Sequence, residues 1–128
     1  MPPTEVQAFH DGKGTIPIRA WLNDLKRSEP KAYRKCIARI LELAEKGNAM
    51  RRPHADYLRD GIYELRASLS GVHYRVLYFF FGRNIVAVSH GLTKEKGIPP
   101  KDIEVAITRM NLVRESPAKY TANLNLKN

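Results

Sequence analysis

The chain has 128 residues, 43% of them hydrophobic, with 22 Lys and Arg against 13 Asp and Glu, a net charge of +9. That length suits one domain able to bury a core without staples, and the lone cysteine, Cys36, excludes an internal disulfide framework and points to a reducing compartment. No apolar run approaches the roughly 20 residues of a membrane-spanning helix, and Met1-Pro2-Pro3-Thr4-Glu5 lacks the basic start and apolar run of a signal peptide, so the expected location is cytoplasmic, away from any membrane.

Glu5–Phe9 alternates weakly and predicts one strand, ended by the turn-prone Asp11-Gly12-Lys13-Gly14. Ile18, Trp21, Leu22 and Leu25 then recur at helical spacing, with Pro17 in the first turn. Ser28-Glu29-Pro30 breaks this helix and starts another, with Tyr33, Ile37, Ile40, Leu41 and Ala44 as its apolar stripe and Gly47 as its stop. So short a break predicts a helical hairpin, its outer faces carrying Arg19, Lys26, Arg27, Lys31, Arg34, Lys35 and Arg39, and Cys36 reading as an apolar filler.

From Asp60-Gly61 onward the period changes to two. Tyr63, Leu65, Ala67 and Leu69 alternate with Glu64, Arg66 and Ser68, which predicts a strand with one buried face. Ser70-Gly71 suits a hairpin turn, and Val72 to Phe81 is too continuously apolar for an edge strand. Gly82-Arg83-Asn84 turns the chain into a third strand, Ile85-Val86-Ala87-Val88. Pro99-Pro100 opens a helix in which Ile103, Ile107 and Met110 share a face. The stretch beyond Arg114 is polar and aperiodic. The expected organisation is therefore a folded unit of residues 1–114 and a loose polar tail of 115–128. The fold class is α+β: an N-terminal strand, a two-helix hairpin, a three-stranded antiparallel meander and a C-terminal helix, with helices on one face of the sheet.

The excess of positive charge suits a polyanionic partner, whether nucleic acid, an acidic protein or an anionic surface. There is no glycine-rich phosphate loop, no paired cysteines at zinc spacing and no His-Glu-x-x-His, and His10, His54, His73 and His90 are scattered, so no metal or other cofactor is expected. A nuclease built on this chain would have to cut RNA without a metal. That reaction needs a base to take the proton of a 2′-hydroxyl, a cation to stabilise the pentavalent phosphate and an acid to protonate the departing 5′-oxygen. Arg suits the second role, because its planar fork stays charged and grips two oxygens. Lys, His or Tyr can fill the others.

Such groups gather in the strand region. Arg66 lies on the polar side of its strand, and His73 and Arg75 share one face of the next. His90 follows the third strand, with Lys94, Lys96 and Lys101 just beyond. Neighbouring strands lie about 4.8 Å apart, so these groups can converge on one phosphate. Each has a plainer explanation too. Arg66 can pair with Glu64, His73 can be merely solvated, and Tyr74 and Tyr78 can be core aromatics. Arg75, inside an apolar strand, needs a partner or a task.

The segments Leu58-Arg59-Asp60-Gly61-Ile62-Tyr63-Glu64-Leu65-Arg66, His73-Tyr74-Arg75-Val76-Leu77-Tyr78-Phe79-Phe80 and His90-Gly91-Leu92-Thr93-Lys94 resemble the RelE/HigB superfamily of bacterial toxins. The closer likeness is to its phage-derived, HigB-like branch, often paired with helix-turn-helix antitoxins, and it runs from about Val6 to Met110. The resemblance implies a RelE-like fold and an endoribonuclease that cuts mRNA, usually on the ribosome, and is silenced by a cognate antitoxin. It assigns Arg66 and Arg75 to phosphate contact and transition-state stabilisation, Lys94 to the basic position after the last strand, and Tyr78, His73 and His90 to stacking or proton transfer. Arg51, Arg52 and His54, with Lys96 and Lys101, are the implied RNA-binding groups. The chain departs from the branch where Leu92 replaces an aromatic and Glu95 separates Lys94 from Lys96. A non-catalytic basic module that holds RNA or a protein partner is the alternative. The enzymatic reading requires Arg66, Arg75 and Lys94 in one concave pocket, and an arginine locked into a buried ion pair would tell against it.

Overall fold

Turn chemistry and alternation set the strand pattern. The structure, a computed structural model, describes residues 3–94 and 97–124, with the backbone alone at Lys94. Its elements run β1 (Glu5–Phe9), α1 (Pro17–Ser28), α2 (Pro30–Lys46), β2 (Ala55–Arg59), β3 (Ile62–Leu69), β4 (Val72–Gly82), β5 (Ile85–Lys94), α3 (Pro100–Glu115), a single-turn α4 (Pro117–Tyr120) and β6 (Thr121–Asn123). All six strands form one sheet in the order β2-β3-β4-β5-β1-β6, antiparallel throughout except where β1 runs parallel to β5. Asp60-Gly61 and Ser70-Gly71, the tight turns on either side of β3, all have positive φ (51°, 87°, 53° and 84°), the twist that favours two-residue hairpins. The expected α+β order of strand, helical hairpin, antiparallel strands and helix is present.

The continuous apolar run of β4 has a direct cause: this strand lies inside a sheet covered on both sides. Leu65, Ala67, Tyr74, Val76 and Tyr78 pack under α1 and α2, against Ile18, Leu22, Cys36, Ile40 and Leu43. Ile62, Leu77, Phe79 and Leu92 face the other way, against Ala106, Met110 and Val113 of α3. Helices therefore occupy both faces, not one. The C-terminal helix follows the long β5 strand and returns across the face that the hairpin leaves open.

Other differences have local causes. The meander has four strands because Ala55–Arg59, too short and polar to stand out by period, pairs with β3. The inward stripe of α2 is Ala32, Cys36, Ile40 and Leu43, while Leu41, assigned to the core from its spacing, is exposed. Cys36 is the expected filler, its thiol pushed up to about 12 by burial. The segment after Arg114 is not loose over its described length: β6 pairs antiparallel with β1, Tyr120 stacks on Phe9 with centroids 6.3 Å apart, and Leu124 is buried.

One contact ties the hairpin to the sheet. The Trp21 indole lies flat against Gly91 of β5, and a Cβ built there would stand 2.3 Å from the ring. No Cβ tolerates that separation, so the ring or the strand must shift. Gly91→Ala should therefore destabilise the protein by about 1–3 kcal/mol, the usual cost of overpacking. The lone tryptophan reports it directly: thermal unfolding should move to lower temperature with an altered Trp21 emission, and an unchanged midpoint would refute this packing.

Candidate active site

Strand register brings the sequence-predicted groups to one face. Arg66 stands opposite Arg75, Glu64 opposite Leu77 and Ser68 opposite His73. On the far side of β4, Leu92 stands opposite Arg75 and the backbone of Lys94 opposite His73. Two like charges directly across a ladder repel, and the chain resolves this with Glu64. Its carboxylate, 1% exposed, accepts from Arg66 Nε at 2.9 Å and from Arg75 Nη1 at 2.7 Å. Arg66 Nη2 also lies 3.5 Å from Asp56, which Arg52 holds at 3.1 Å. The Arg52 contact, more than the weaker pull of Arg66, keeps the Asp56 carboxyl below its ordinary value.

Arg52, Arg66 and Arg75 against Asp56 and Glu64 leave this ladder with a net charge of +1. Arg75 is thus locked into a buried ion pair, while Arg66 is held only in part. Both guanidiniums are engaged by one buried carboxylate, but they differ in what remains. Arg75 is 12% exposed, and its buried Nε has no partner among the described residues. Arg66 is 37% exposed, and a guanidinium carries more donors than its two contacts use. It opens on a groove of about 370 Å³ lined by Arg39, Pro53, His54, Arg66, Ala67, Ser68 and His73. His73 is exposed there and has no hydrogen-bond partner among the described residues.

Arg39 is the site member that the sequence reading passes over, and Glu64 is one that it names only as a possible partner of Arg66. Arg39, assigned to a solvated helix face, donates its Nε to the carbonyl of Arg66 at 2.9 Å; its place beside Cys36 and Ile40 is the available signal. Glu64 shares a strand face with Arg66 by alternation, so the pairing was legible but not its burial.

The remaining candidates separate. Tyr78 is buried on the opposite face, stacked on Tyr63 at 5.3 Å, and desolvation raises its hydroxyl pKa; no substrate in the groove can reach it. His54 is turned to α2, with Nδ1 2.9 Å from Glu42, yet it still lines the groove. Arg51 caps a 3-10 turn through the carbonyls of Asn48 and Met50, and Arg52 reaches Asp56. Lys101 is exposed in the first turn of α3. The Lys94 side chain, Glu95 and Lys96 lie outside the described residues. Among the described residues, no cluster of three or more His, Cys, Asp or Glu is placed to hold a metal ion, and no helix is long and apolar enough to cross a membrane.

His90 belongs to a structural relay. β5 bulges at Ser89, since Leu77 pairs with His90 and Tyr78 with Val88. Arg109 of α3 approaches Ser89 Oγ at 3.4 Å, Ser89 Oγ lies 2.7 Å from His90 Nδ1, and His90 Nε2 lies 3.1 Å from Asp102. Donors and acceptors run in one direction when the neutral ring keeps its proton on Nε2 and gives it to Asp102. The ring therefore clamps α3 to the sheet and is spoken for on both nitrogens.

Residues 21–111 match the family described as phage derived protein Gp49-like. No curated protein matches the chain.

Two outcomes follow from these contacts. Glu64→Gln keeps the shape but strands two guanidiniums, so it should cost about 3–5 kcal/mol, as breaking a buried pair does; denaturant unfolding with an unchanged midpoint would show that the carboxylate is not the anchor. Burial holds the His90 imidazole below its ordinary 6.5, against the pull of Asp102. A lowered value in the folded state means stability that is complete above about pH 6.5 and is lost as pH falls through the lowered value. Unfolding temperature should therefore drop on acidification from about pH 7 to 5, and His90→Gln should flatten that slope; an identical slope in the variant would exclude His90 as its source.

Proposed function

From its membership in the Gp49-like phage-derived family, a toxin–antitoxin-associated family of the RelE/HigB-like kind to which the chain belongs, we propose that this protein is the toxin of a type II pair. It is an endoribonuclease of the HigB branch that cuts mRNA on the ribosome, in the cytoplasm, and is silenced by a helix-turn-helix antitoxin covering its basic surface. The observation that carries the reading is the groove in which the exposed His73 and the partly free Arg66 lie together.

The chemistry is transesterification. His73 takes the 2′-hydroxyl proton as the O2′–P bond forms, and the P–O5′ bond breaks as the 5′-oxygen leaves. Arg66 holds the non-bridging oxygens through the donors that Glu64 and Asp56 do not occupy. Lys94 supplies the proton to the leaving oxygen. Arg75, tied to Glu64, adds fixed positive charge behind Arg66 without touching the phosphate. DNA, lacking the attacking hydroxyl, is not a substrate.

A second reading is favoured by the ion ladder itself. With both arginines engaged by Glu64, the groove can bind RNA as a basic surface and leave it intact, as a non-catalytic module would. Expression followed by mapping of mRNA ends separates the two. A toxin arrests growth and creates new ends within minutes. Arg66→Ala should then lower cleavage about a hundredfold, the usual loss for one charged transition-state contact of about 2.7–4 kcal/mol, and combining it with His73→Ala should restore growth. Salt-sensitive RNA binding with no new ends, or undiminished cutting by the double variant, would overturn the enzymatic assignment.

A further inference from the structure

A second cleft lies at the outer edge of the sheet, one strand beyond the arginine ladder. It encloses about 800 Å³ and is lined by Asn48, Met50, Arg51, Arg52, Tyr57 and Tyr63, among others. β2 is the outermost strand there. The cleft's floor has an origin in strand register: Tyr78 of β4 pairs with Tyr63 of β3, and Tyr63 pairs with Tyr57 of β2. The three rings form a ladder, Tyr63 stacked on Tyr78 at 5.3 Å and Tyr57 edge-on to Tyr63 at 5.0 Å. It starts in the core and ends in solvent, where Tyr57 is 53% exposed.

The terminal ring is held in place. Its hydroxyl accepts the Gly61 N–H at 3.0 Å across the β2–β3 turn, so a flat partner would meet a preset surface at small entropic cost. Arg51, Arg52 and the acid Asp56 line the same cleft. Arg52 is 75% exposed, and its partner Asp56 is neutralised by Arg52 and Arg66 together. The Asn48 side-chain amide has no partner among the described residues and presents both a donor and an acceptor.

We propose that this cleft is a nucleobase-binding subsite for single-stranded RNA, with Tyr57 as the stacking platform, Arg52 at the adjoining phosphate and Asn48 against the base edge. The assignment rests on the RNA-directed reading of the groove and adds a second place where the RNA is held. An aromatic face flanked by arginine and a free amide is the recurrent chemistry of single-strand recognition. A peptide would use the cleft as an apolar pocket and would gain less from its cationic rim.

The test uses the full chain and a 2′-O-methyl oligoribonucleotide, which cannot be cut, beside an abasic oligomer of equal length and charge. Fluorescence anisotropy over a range of salt gives affinity and salt slope. Tyr57→Ala should weaken the base-bearing oligomer roughly 5- to 150-fold, the worth of stacking one base, and leave the salt slope unchanged because no phosphate contact is lost. Tyr57→Phe keeps the ring but loses its Gly61 tether, so it should bind more weakly than the parent and more tightly than Tyr57→Ala, whereas Tyr57→Leu, which keeps apolar cover on the edge, should weaken binding like alanine. The abasic oligomer should be indifferent to all three. Thermal unfolding of each variant separates lost stacking from lost fold. If Tyr57→Ala and Tyr57→Leu bind the base-bearing oligomer like the parent, the subsite is refuted while the groove assignment stands. If they bind RNA normally but lose a co-expressed antitoxin, the cleft belongs to a protein. A parent protein with no affinity for either oligomer overturns the RNA-directed reading itself.

Discussion

A carboxylate shared by two arginines organises the functional end of this sheet. Arg66 and Arg75 face each other across β3 and β4, an arrangement that repels unless an anion sits between them. Glu64 is that anion, and at 1% exposure its burial is offset by the two guanidiniums that it holds. Neither side of the arrangement is stable without the other. Its consequence is geometric: Glu64 takes Nε of Arg66 and Asp56 takes Nη2, so the cation is presented to the groove in a fixed orientation. The cost is charge, because most of the positive potential that two arginines would carry is spent within the protein.

The surrounding architecture makes that corner possible. A sheet covered on both faces has little room for ionic groups, and polar side chains collect at the end of β3 and β4 that α3 does not cover. The position of α3 matters for this reason. It is held to the sheet by His90 with Asp102, by Arg109 with Ser89, and by Arg59 with Glu104. The β5 bulge at Ser89 lets two successive residues join one polar relay, where a regular strand would send them to opposite faces. Gly91, next along, yields its side-chain space to Trp21. A short length of β5 thus anchors a helix on each face.

Much of this was legible from the chain. Period-two alternation identified β3 and its two faces, Ser70-Gly71 marked the hairpin between β3 and β4, and Arg75 announced itself as a charge in an apolar strand. The rest depended on tertiary placement. Helical spacing alone offers two apolar stripes on α2, one through Tyr33, Ile37 and Leu41 and one through Cys36, Ile40 and Leu43, and only packing shows that the second is the buried one. Tyr78 reads as an active-site aromatic or a core aromatic with equal ease until the strand faces are assigned. β2 is too short for periodicity, so the edge it forms, and with it the exposure of Tyr57, was invisible. The docking of Thr121–Asn123 on β1 relies on backbone pairing that a polar sequence does not advertise.

The division of charge also bears on how such a protein would find RNA. Arginines held by Glu64 and Asp56 displace few counterions on binding, since their charge is already compensated. The net +9 of the chain must then act from elsewhere, and Lys31, Arg34 and Lys35 on α2 are exposed with no partner among the described residues. Charges of that kind attract a polyanion over roughly a Debye length of about 8 Å at physiological salt and confer no orientation. Orientation has to come from groups fixed in place: Arg66, His73 beside it, and the tethered ring of Tyr57. Attraction and positioning are thereby assigned to different surfaces, and only the second depends on the buried carboxylate.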